Sequence, residues 1–406
     1  MPIATPLLSL AFHAAVIAGH LLIVREAISR CFRISMPWLL WVFVCGVLVS
    51  ATFLVPWALL ADVRLDWPHA PVGWIAYGGA CAAVLALSVA TRLRPRKPAA
   101  LLAEQACTMD VAERLGAPRV GTGSRAWVAR TPRNDLFRVE VAERQIAIPG
   151  LPRELDGLSV LHLTDLHFNG TPGLPFFEHA IDLANSLRPD VVALTGDVLD
   201  RFAMAAWLPS TLRRLDAPLG RYFVLGNHDA YDQPAAIRAA LCDLGWTDVG
   251  GRAVTMPARG NDVLIAGSEL PWLGTDPSLP PATENAHGLR LLLAHTPERF
   301  AWAQSRAFHL VLAGHLHGGQ IDLPLIGPLS GGRYHAGVFR SGATVMHVSR
   351  GLGAVFPLRW NCPAELTKLV LRSNGRVAGA SAPPRVKNGS CHSEGSGSDL
   401  RNLGSE

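Results

Sequence analysis

The sequence lacks any regular spacing of cysteine. Its seven cysteines are odd in number and scattered over 406 residues, so they define neither a disulfide framework nor a zinc knuckle. Charged side chains are also missing from three stretches near the N-terminus, Leu7–Val24, Met36–Ala61 and Ala70–Thr91, which contain 18, 26 and 22 residues. Buried helices of a soluble protein would have to repeat this pattern three times in series, and we do not favour that interpretation.

Each uncharged stretch is close to the length that crosses a bilayer. A spanning helix needs about 20 apolar residues, and we predict three such helices at 7–24, 36–61 and 70–91 within a membrane region of residues 1–98. A cleaved signal peptide is disfavoured, because no Lys or Arg precedes the first stretch and no small-residue cleavage site follows it. Whether residues 7–24 span stays open, since His13 and His20 lie within them.

The charges beside these stretches predict an orientation. Residues 25–33 carry a net charge of +2, residues 62–66 carry −1, and residues 92–97 carry +4. Because Lys and Arg favour the cytoplasmic side, the rest of the chain would face the cytoplasm from the inner membrane. The overall net charge of +5 comes largely from these arginines and indicates anionic lipid as the partner, with no nucleic acid expected.

Beyond residue 150, short apolar runs repeatedly end on Asp, Asn or His. Runs of this kind between turn residues are typical of buried strands. Ligand-binding groups of α/β sheets collect beyond the carboxyl ends of the strands, so five strand ends are expected to direct polar side chains to one place. These endings are Asp165-Leu166-His167, Gly196-Asp197, Gly226-Asn227-His228-Asp229, His295 and Gly314-His315-Leu316-His317.

The residue types at these strand ends predict a pair of divalent metal ions. Imidazole together with carboxylate suits Mn, Fe or Zn, and the absence of Cys from the five segments argues against a thiolate zinc or iron–sulfur site. A carboxylate can bridge two ions, whereas an imidazole nitrogen binds one, so Asp197 is the candidate bridge. Two metals about 3.5–4 Å apart can hold a water-derived hydroxide and the oxygens of a phosphoryl group.

In order and spacing, the five segments resemble the calcineurin-like metallophosphoesterase superfamily. The resemblance covers about residues 151–372 and implies an α/β fold, a two-sheet α/β sandwich preceded by the N-terminal transmembrane helices. It also implies a metal-dependent phosphoric ester hydrolase. Three further segments resemble one membrane-associated bacterial branch, which contains phosphodiesterases and UDP-2,3-diacylglucosamine pyrophosphatases. They are His317-Gly318-Gly319-Gln320, residues 348–353 and Pro363-Ala364-Glu365.

The resemblance implies roles for individual residues. His228 resembles the non-ligand histidine that protonates the leaving group, and Asp200 would hydrogen-bond it and favour its protonated form. Arg201, Gln320 and His335 are candidate substrate-binding residues. The ligands of the first metal would be Asp165, His167 and His317 and those of the second Asn227, His295 and His315, with Asp197 shared.

The remaining chain is expected to complete this fold. Residues 99–150 would form a connector and an edge strand, with an amphipathic helix at Leu101–Leu115 and the strand at Phe137–Ile148. Residues 373–406, rich in Gly, Ser, Pro and Asn, would be disordered. Helices are predicted at Phe176–Leu187, Ala203–Leu215, Pro234–Leu244 and Pro297–Gln304, and strands that complete the second sheet at Thr344–Val348 and Leu366–Leu371.

These expectations combine into a membrane-anchored, dinuclear phosphoesterase. Its substrate would contain a phosphoester or pyrophosphate bond, with lipid-linked UDP-2,3-diacylglucosamine as one example. Two alternatives stay open: a broad phosphodiesterase or phosphatase for soluble nucleotides, and a metal-binding membrane sensor without enzymatic activity. His228 disfavours the sensor, because pure metal binding does not need a proton donor. The sequence leaves the metal, the exact substrate and the oligomeric state open.

Overall fold

Three helices occupy the predicted membrane region. They are α1 (Ala4–Cys31), α2 (Trp38–Ala61) and α3 (Val72–Leu93). The segment Ser9–Ile28 and helix α3 are long and apolar enough to cross a membrane, and α2 contributes the shorter apolar stretch Val42–Ala58. The computed structural model describes residues 4–31, 38–61, 72–93, 98–116, 121, 125–280, 288–324, 327–329 and 333–373; the predicted disordered tail lies outside them, apart from residue 373.

One polar residue joins the three helices. His20 of α1 is buried, its Nδ1 contacts the hydroxyl of Tyr77 in α3, and its Nε2 lies 3.0 Å from the carbonyl oxygen of Ala51 in α2. Helix α1 also approaches α3 closely at Gly19, where a Cβ would lie 2.0 Å from the carbonyl oxygen of Cys81. One of the two histidines that left the span at 7–24 open therefore has polar partners inside the bundle, as ionisable residues in membrane helices usually do.

A seven-stranded sheet carries the first three ligand-bearing strand ends. Its strand order is β1-β2-β15-β3-β4-β5-β6. Strands β3 to β6 are parallel, β15 is parallel to β2 and antiparallel to β3, and β1 is antiparallel to β2. The strands are β1 (Leu101–Asp110), β2 (Arg138–Ala147), β3 (Ser159–Leu163), β4 (Val191–Thr195), β5 (Arg221–Val224), β6 (Thr247–Asp248) and β15 (Ala364–Arg372).

The connector prediction was wrong in detail. Residues 101–110 form strand β1, not an amphipathic helix, and only the four residues of α4 (Val111–Arg114) are helical. Pairing with β2 along the strand satisfies its backbone groups, so tertiary context decides against the helix. Strand β1 is consequently the sheet edge, and the predicted edge strand, β2, lies between β1 and β15. Cys107 of β1 is disulfide-bonded.

Two later predictions also need correction. The strand predicted at Leu366–Leu371 is part of β15 and belongs to the first sheet, where it inserts between β2 and β3. The helix predicted at Ala203–Leu215 is instead two short 3₁₀ segments, Phe202–Trp207 and Leu212–Arg214. Tight turns of this type are common connectors where the chain cannot continue a regular helix.

A six-stranded sheet carries the remaining ligand-bearing ends. Its order is β13-β14-β10-β9-β8-β7, with β8, β9, β10 and β14 parallel and the two outer strands antiparallel to their neighbours. A separate hairpin is formed by β11 and β12. The strands are β7 (Ala253–Ala258), β8 (Asn261–Ser268), β9 (Leu289–Ala294), β10 (Leu310–Ala313), β11 (Asp322–Leu323), β12 (Gly327–Pro328), β13 (Gly337–Ser341) and β14 (Thr344–Val348).

The two sheets pack face to face around a buried apolar core. Side chains such as Val160 and Val224 of the first sheet and Ile265 and Leu312 of the second belong to one buried cluster. Helices cover the outer faces, so the structure is the predicted two-sheet α/β sandwich. These helices are α5 (Leu174–Ser186) and α7 (Pro234–Asp243) on the first sheet and α8 (Phe300–Ser305) on the second.

A buried polar contact also links the sheets. Nδ1 of His162 in β3 lies 2.8 Å from Nδ1 of His347 in β14, and Nε2 of His162 lies 2.9 Å from the hydroxyl of Thr195. Arg144 of β2 approaches Nε2 of His347 at 2.9 Å and pairs with Glu365 of β15. His162 is thus a satisfied interior residue, as expected for a histidine inside a strand.

Candidate active site

All five predicted ligand segments meet at one edge of the sandwich. Strands β3, β4 and β5 of the first sheet and β9 and β10 of the second end there, and the residues after each strand carry the polar side chains. After β5, the short helix α6 (Asn227–Tyr231) begins at the ligand candidate itself. The parallel strands explain the convergence, because their carboxyl ends share an edge.

Five of the seven predicted ligands have a left-handed backbone. The angle φ is 52° at Asp165, 44° at His167, 53° at Asp197, 72° at His315 and 50° at His317. Residues other than glycine seldom adopt this conformation, which costs about 1–3 kcal/mol and persists only where the surroundings enforce it. Positive φ occurs at seven other non-glycine residues in the described part of the chain, but five of the twelve are ligand candidates, which indicates a functional edge.

Glycine precedes three of the ligands because a ligand side chain fills the space of a Cβ. At Gly226, a Cβ would lie 2.3 Å from Oδ1 of Asp197. At Gly314, a Cβ would lie 2.2 Å from Oδ2 of Asp165. A side chain at either position would displace a carboxylate, so these motif glycines are part of the ligand geometry.

Asp165, His167 and His317 form a first cluster. The Nε2 atoms of the two histidines lie 3.1 Å apart. Oδ1 of Asp165 lies 3.8 Å from Nε2 of His167 and 3.4 Å from Nε2 of His317. All three residues are buried, and their ligand atoms lie within 4.8 Å of one another. Atoms at these separations can surround one ion at the usual metal–ligand distances of about 2.0–2.2 Å.

Asp197, His295 and His315 form a second cluster, and Asn227 borders it. Nε2 of His295 lies 3.1 Å from Oδ2 of Asp197 and 3.2 Å from Nδ1 of His315. Oδ1 of Asn227 lies 3.0 Å from the same Nε2 atom. The two clusters and the adjacent Asn227 together comprise the predicted ligands of the two metals, with Asp197 in the second cluster.

Asp197 nevertheless faces both clusters. Its Oδ2 lies 3.6 Å from Nε2 of His167 in the first cluster, besides the 3.1 Å contact with His295 in the second. Its Oδ1 accepts a hydrogen bond from the backbone N–H of His228 at 2.8 Å. A bridging carboxylate requires such a position between two ligand sets.

Hydrogen bonds on the far side of two histidines prepare them for metal binding. Nδ1 of His167 donates to Oδ1 of Asp200 at 2.7 Å, and Nδ1 of His295 donates to the carbonyl oxygen of Thr195 at 2.7 Å. A neutral imidazole with its proton on Nδ1 presents a lone pair at Nε2, the atom that faces the clusters. Outer contacts of this kind are typical of metal-bound histidine. The residues present therefore fit divalent metal ions.

The carboxylates and imidazoles at the site shift the pKa values of one another. Burial raises the pKa of Asp165, with His295 opposing and the charge of Asp197 adding to the rise. Burial would also raise the pKa of Asp197, but His295 and His167 outweigh it and hold that pKa well below its usual range. Burial and the neighbouring His295 lower the pKa of His315 to about 3, so this ring is neutral and free to act as a ligand.

Asp200 contacts two histidines at the site. Besides His167, its Oδ1 lies 3.1 Å from Nδ1 of His228, so the predicted contact between Asp200 and His228 is present. Burial would raise the pKa of Asp200, but hydrogen bonds from His167 and His228 hold it well below the usual range. The His228 side chain is 27% exposed, whereas those of His167 and His295 are fully buried. His228 thus borders the clusters on the open side.

The predicted substrate-binding residues have different surroundings. Arg201 is exposed, and His335 is half-buried. Nε2 of Gln320 donates to the backbone carbonyls of Phe356 and Leu358, the second at 2.8 Å. The amide donors of Gln320 are therefore used within the protein, and substrate contact by these three residues stays a prediction.

The chain is similar in sequence to proteins of one known family. The model of the calcineurin-like phosphoesterase family matches residues 158–319. The chain is 30% identical over 246 residues to the uncharacterized metallophosphoesterase YkuE of Bacillus subtilis. The alignment covers 58% of this chain and 86% of that protein. The chain belongs to the calcineurin-like metallophosphoesterase family. It is accordingly a phosphoester hydrolase, and the sensor alternative without enzymatic activity is not supported.

Two further relatives of this metallophosphoesterase differ in their descriptions. Phosphodiesterase YaeI of Escherichia coli is 30% identical over 221 residues, which cover 52% of this chain and 81% of that protein. A transmembrane protein with metallophosphoesterase domain from Danio rerio is 28% identical over 267 residues, which cover 57% of each chain. The apolar helices and this last relative indicate membrane association.

Sequence reasoning did not assign a role to Asp229 of the metallophosphoesterase. This buried carboxylate accepts hydrogen bonds from the backbone N–H groups of Val198 at 2.9 Å and Leu199 at 3.0 Å, and its other oxygen accepts one from Gly226 at 2.9 Å. It thereby joins the turn after Asp197 to the turn before Asn227. Its place in the Gly-Asn-His-Asp segment was the only sequence signal.

Two other residues near the ligands carry no motif signal. Arg359 is fully buried, donates to the carbonyl oxygens of Arg350 at 2.8 Å and Gly353 at 2.6 Å, and lies 3.4 Å from Nδ1 of His317. Trp272 lies over the second cluster. Its ring centre is 5.5 Å from that of His295 and 5.0 Å from that of His315. An isolated Arg or Trp in a loop gives no signal in the sequence that it will lie next to these histidines.

Proposed function

We propose that this chain is a membrane-anchored phosphoesterase that uses two divalent metal ions to hydrolyse a phosphoester or pyrophosphate bond of a lipid-linked substrate. The observation that carries the proposal is the position of Asp197, with Oδ2 at 3.1 Å from Nε2 of His295 and 3.6 Å from Nε2 of His167. Two ligand clusters that share one carboxylate form a compact site for two ions. Mn, Fe and Zn all suit this set of nitrogen and oxygen atoms.

The protein orients the ligands from outside the clusters. Asp200 holds His167, and the carbonyl oxygen of Thr195 holds His295, so that both rings present Nε2 to the ions. When bound, two such ions supply Lewis-acid stabilisation of the phosphoryl oxygens and a water that is activated near neutral pH. In the proposal, Asp165, His167 and His317 hold the first ion, Asn227, His295 and His315 hold the second, and Asp197 contacts both.

His228 is the proposed general acid. Its partly exposed ring borders the buried ligands, so a leaving-group oxygen can reach it. Nδ1–H of His228 faces Asp200 and stays bound to the ring. Nε2 is therefore the atom that transfers a proton to the leaving oxygen. The contact with Asp200 orients the ring for that transfer, as a carboxylate does for the catalytic histidine of other hydrolases.

The N-terminal helices are the proposed membrane anchor. Apolar side chains point outward from them, with exposed fractions of 67% at Phe43, 70% at Phe53 and 68% at Leu87. Water-soluble domains rarely expose apolar surface on this scale. We propose that α1, α2 and α3 all span the inner membrane. The description of the relative from Danio rerio as a transmembrane protein with metallophosphoesterase domain supports this proposal.

The contacts of α1 and α3 support one orientation. Arg25 near the end of α1 and Arg92 in the last turn of α3 both bind the β11–β12 hairpin, so both basic helix ends lie beside the catalytic sandwich. We propose that this side is the cytoplasm, because basic connections favour it. The disulfide bond of Cys107 opposes this assignment, since disulfides are rare in the reducing cytosol. A topology measurement decides between the two sides.

The lipid-linked substrate is the finer part of the proposal. An active site attached to a leaflet meets amphiphilic phosphates, and UDP-2,3-diacylglucosamine is one that the branch resemblance indicates. Water added across its pyrophosphate bond would give UMP and the lipid monosaccharide phosphate. The second candidate is a broad phosphodiesterase for soluble nucleotides, which the description of the Escherichia coli relative as a phosphodiesterase favours.

A substrate panel tests the proposal. The purified full chain in detergent would be incubated with Mn²⁺ and UDP-2,3-diacylglucosamine, bis-p-nitrophenyl phosphate or p-nitrophenyl phosphate, with Asp197→Asn as the inactive control. We expect the lipid substrate to be cleaved with the highest kcat/KM. Preference for the soluble diester would favour the second candidate. Absence of hydrolysis of all three by protein with two bound metals would contradict the site assignment.

A further inference from the structure

An exposed apolar surface lies beside the active site. In the described part of the chain beyond α3, six large apolar or aromatic side chains are exposed, and four of them lie on two neighbouring segments. The exposed fractions are 45% at Leu329, 36% at Val355, 41% at Phe356 and 39% at Trp360. Single exposed apolar residues are common, but a group of them indicates a binding surface. We name these four residues the apolar shelf.

Backbone contacts join the two segments of the apolar shelf. The N–H of Leu329 donates to the carbonyl oxygen of Ile321 at 2.9 Å, and Ile321 forms a parallel bridge with Trp360. The N–H of Trp360 donates to the carbonyl oxygen of Gln320 at 3.0 Å. The segment that contains Val355, Phe356 and Trp360 is therefore paired with the residues just before the β11–β12 hairpin, which Leu329 directly follows, and the four side chains share one region of the surface.

Two arginines of the N-terminal helices bind this hairpin. Nη1 of Arg25 donates to the carbonyl oxygen of Pro328 at 3.0 Å, and Nη2 of Arg92 lies 2.6 Å from Oδ1 of Asp322. Leu329 of the apolar shelf directly follows Pro328. The shelf is thus connected to the helices by specific polar contacts, not only by the chain.

The positions of the two arginines set the depth of the hairpin. Arg25 lies three residues before the end of the candidate span Ser9–Ile28, and Arg92 one residue before the end of Val72–Leu93. Charged side chains near the ends of spanning helices lie at the boundary between the apolar layer and the lipid head groups. A hairpin bound by both side chains therefore lies at that boundary, together with the residue that follows it.

We propose that the apolar shelf contacts the lipid bilayer at the head-group boundary. This proposal rests on the membrane anchoring proposed above. Trp, Phe and Leu are favoured at this depth. The guanidinium carbon of Arg125 lies 5.9 Å from the centre of the Phe356 ring and adds a positive charge to the same surface, which suits anionic lipid. The partner is accordingly a membrane surface with anionic lipid.

The apolar shelf is also tied to the metal-binding turn. Gln320 lies three residues after His317, and its amide donates to the carbonyl oxygens of Phe356 and Leu358. Gly319 packs directly on the hairpin, since a Cβ there would lie 2.3 Å from Cβ of Pro328. An amphiphilic phosphate could keep its acyl chains at the shelf while its phosphate reaches the ligand clusters. The apolar shelf is thus the place where the lipid part of the proposed substrate would be held.

Photo-crosslinking to lipid tests the apolar shelf directly. The full chain would carry the photoreactive residue p-benzoylphenylalanine at Phe356 or Trp360, in nanodiscs of phosphatidylethanolamine and phosphatidylglycerol. The matched control is Asp262, which is exposed at the start of β8, the end of that strand remote from the metal clusters. Phe53 of α2, which is 70% exposed, reports whether the helices are inserted.

The outcomes test the proposal for the apolar shelf and the proposal for the membrane anchor independently. We expect lipid adducts, detected by mass, at positions 53, 356 and 360, with yields at the last two at least about fivefold above that at position 262. Adducts at position 53, with yields at 356 and 360 no higher than at 262, would overturn the shelf and leave the anchor standing. Absence of adducts at all four positions would overturn both. Adduct formation does not depend on hydrolysis, so an error in the proposed substrate would not affect the result.

Discussion

Oδ1 of Asp200 lies 2.7 Å from Nδ1 of His167 and thereby orients a predicted ligand of the first metal. The same oxygen lies 3.1 Å from Nδ1 of His228, the proposed general acid. One carboxylate outside the two clusters thus contacts both a predicted metal ligand and the proposed general acid. Its effect on metal affinity and its effect on proton transfer can be measured separately.

We predict that Asp200→Asn lowers both metal affinity and turnover. The amide keeps the shape but loses the charge that stabilises both rings. Loss of an outer contact to a metal-bound histidine typically costs about 10–100-fold in affinity or activity. Metal titration and kcat would be compared with those of Asp182→Asn, a change at an exposed carboxylate with 56% side-chain exposure. Unchanged metal affinity and unchanged turnover in Asp200→Asn would show that Asp200 supports neither metal binding nor proton transfer.

The second prediction distinguishes an acid from a ligand at His228. His228→Ala should keep two metals per chain and lower turnover by roughly 10²–10⁴-fold, the usual contribution of general acid–base catalysis. The loss should shrink for nitrophenyl esters, because nitrophenolate leaves without protonation. Steady-state kinetics on alkyl and nitrophenyl substrates, with elemental analysis of the variant, provide the measurement. A loss of equal size for both leaving groups argues against proton donation by His228.

The third prediction concerns acid stability and the buried histidine pair. Burial and the neighbouring His347 lower the pKa of His162 well below its usual value, and burial lowers the pKa of His347. In the unfolded chain both rings titrate near pH 6.5, so below that pH the unfolded state binds more protons. Their contribution to stability is therefore full above about pH 6.5 and decreases as the pH falls towards the folded-state pKa values.

The size of this effect is at most about 1.4 kcal/mol per pH unit for each histidine. Thermal unfolding of the full chain in detergent between pH 5 and 8 would measure it. Other buried histidines contribute to the wild-type slope, so the test is the difference between wild type and His162→Gln. The variant should be less stable at pH 8 and lose stability less steeply on acidification. Parallel curves would show that His162 does not titrate on unfolding.

The fourth prediction is topological. A green fluorescent protein fused after residue 372 should fluoresce, and alkaline phosphatase fused there should be inactive, because basic helix ends such as those of α1 and α3 favour the cytoplasmic side. If residues 7–24 do not span, two spans still leave the sandwich on the side of residues 25–33 and 92–97. High phosphatase activity would reverse the orientation and would agree with the disulfide of Cys107.

Much of the site could be predicted from the sequence because its ligands follow buried strands. Asp165, Asp197 and His295 each come directly after or one residue beyond an apolar run, and parallel strands bring such ends to one edge. Local pattern was sufficient there. The position of Asp197 between the two clusters also agrees with the expectation that a carboxylate, and not an imidazole, is the shared ligand.

The remaining features depend on partners distant in the chain. Residues 101–110 form a strand only because β2 pairs with them, and 366–371 join the first sheet because β2 and β3 flank them. Arg359 contacts the predicted ligand His317, and Trp272 packs on the predicted ligand His295, although both residues are far from these histidines in the chain. Neither periodicity nor spacing carries that information.

Metal stoichiometry in Asp197→Asn tests the central claim most directly. Asp197 is proposed to contact both ions, and an asparagine amide has only one oxygen and no charge to offer them. Elemental analysis of the purified full chain should give two metals per chain for wild type and for the control Asp262→Asn. For Asp197→Asn we predict loss of tight binding of both metals, together with nearly all activity. Two metals per chain in Asp197→Asn would contradict the shared-carboxylate site.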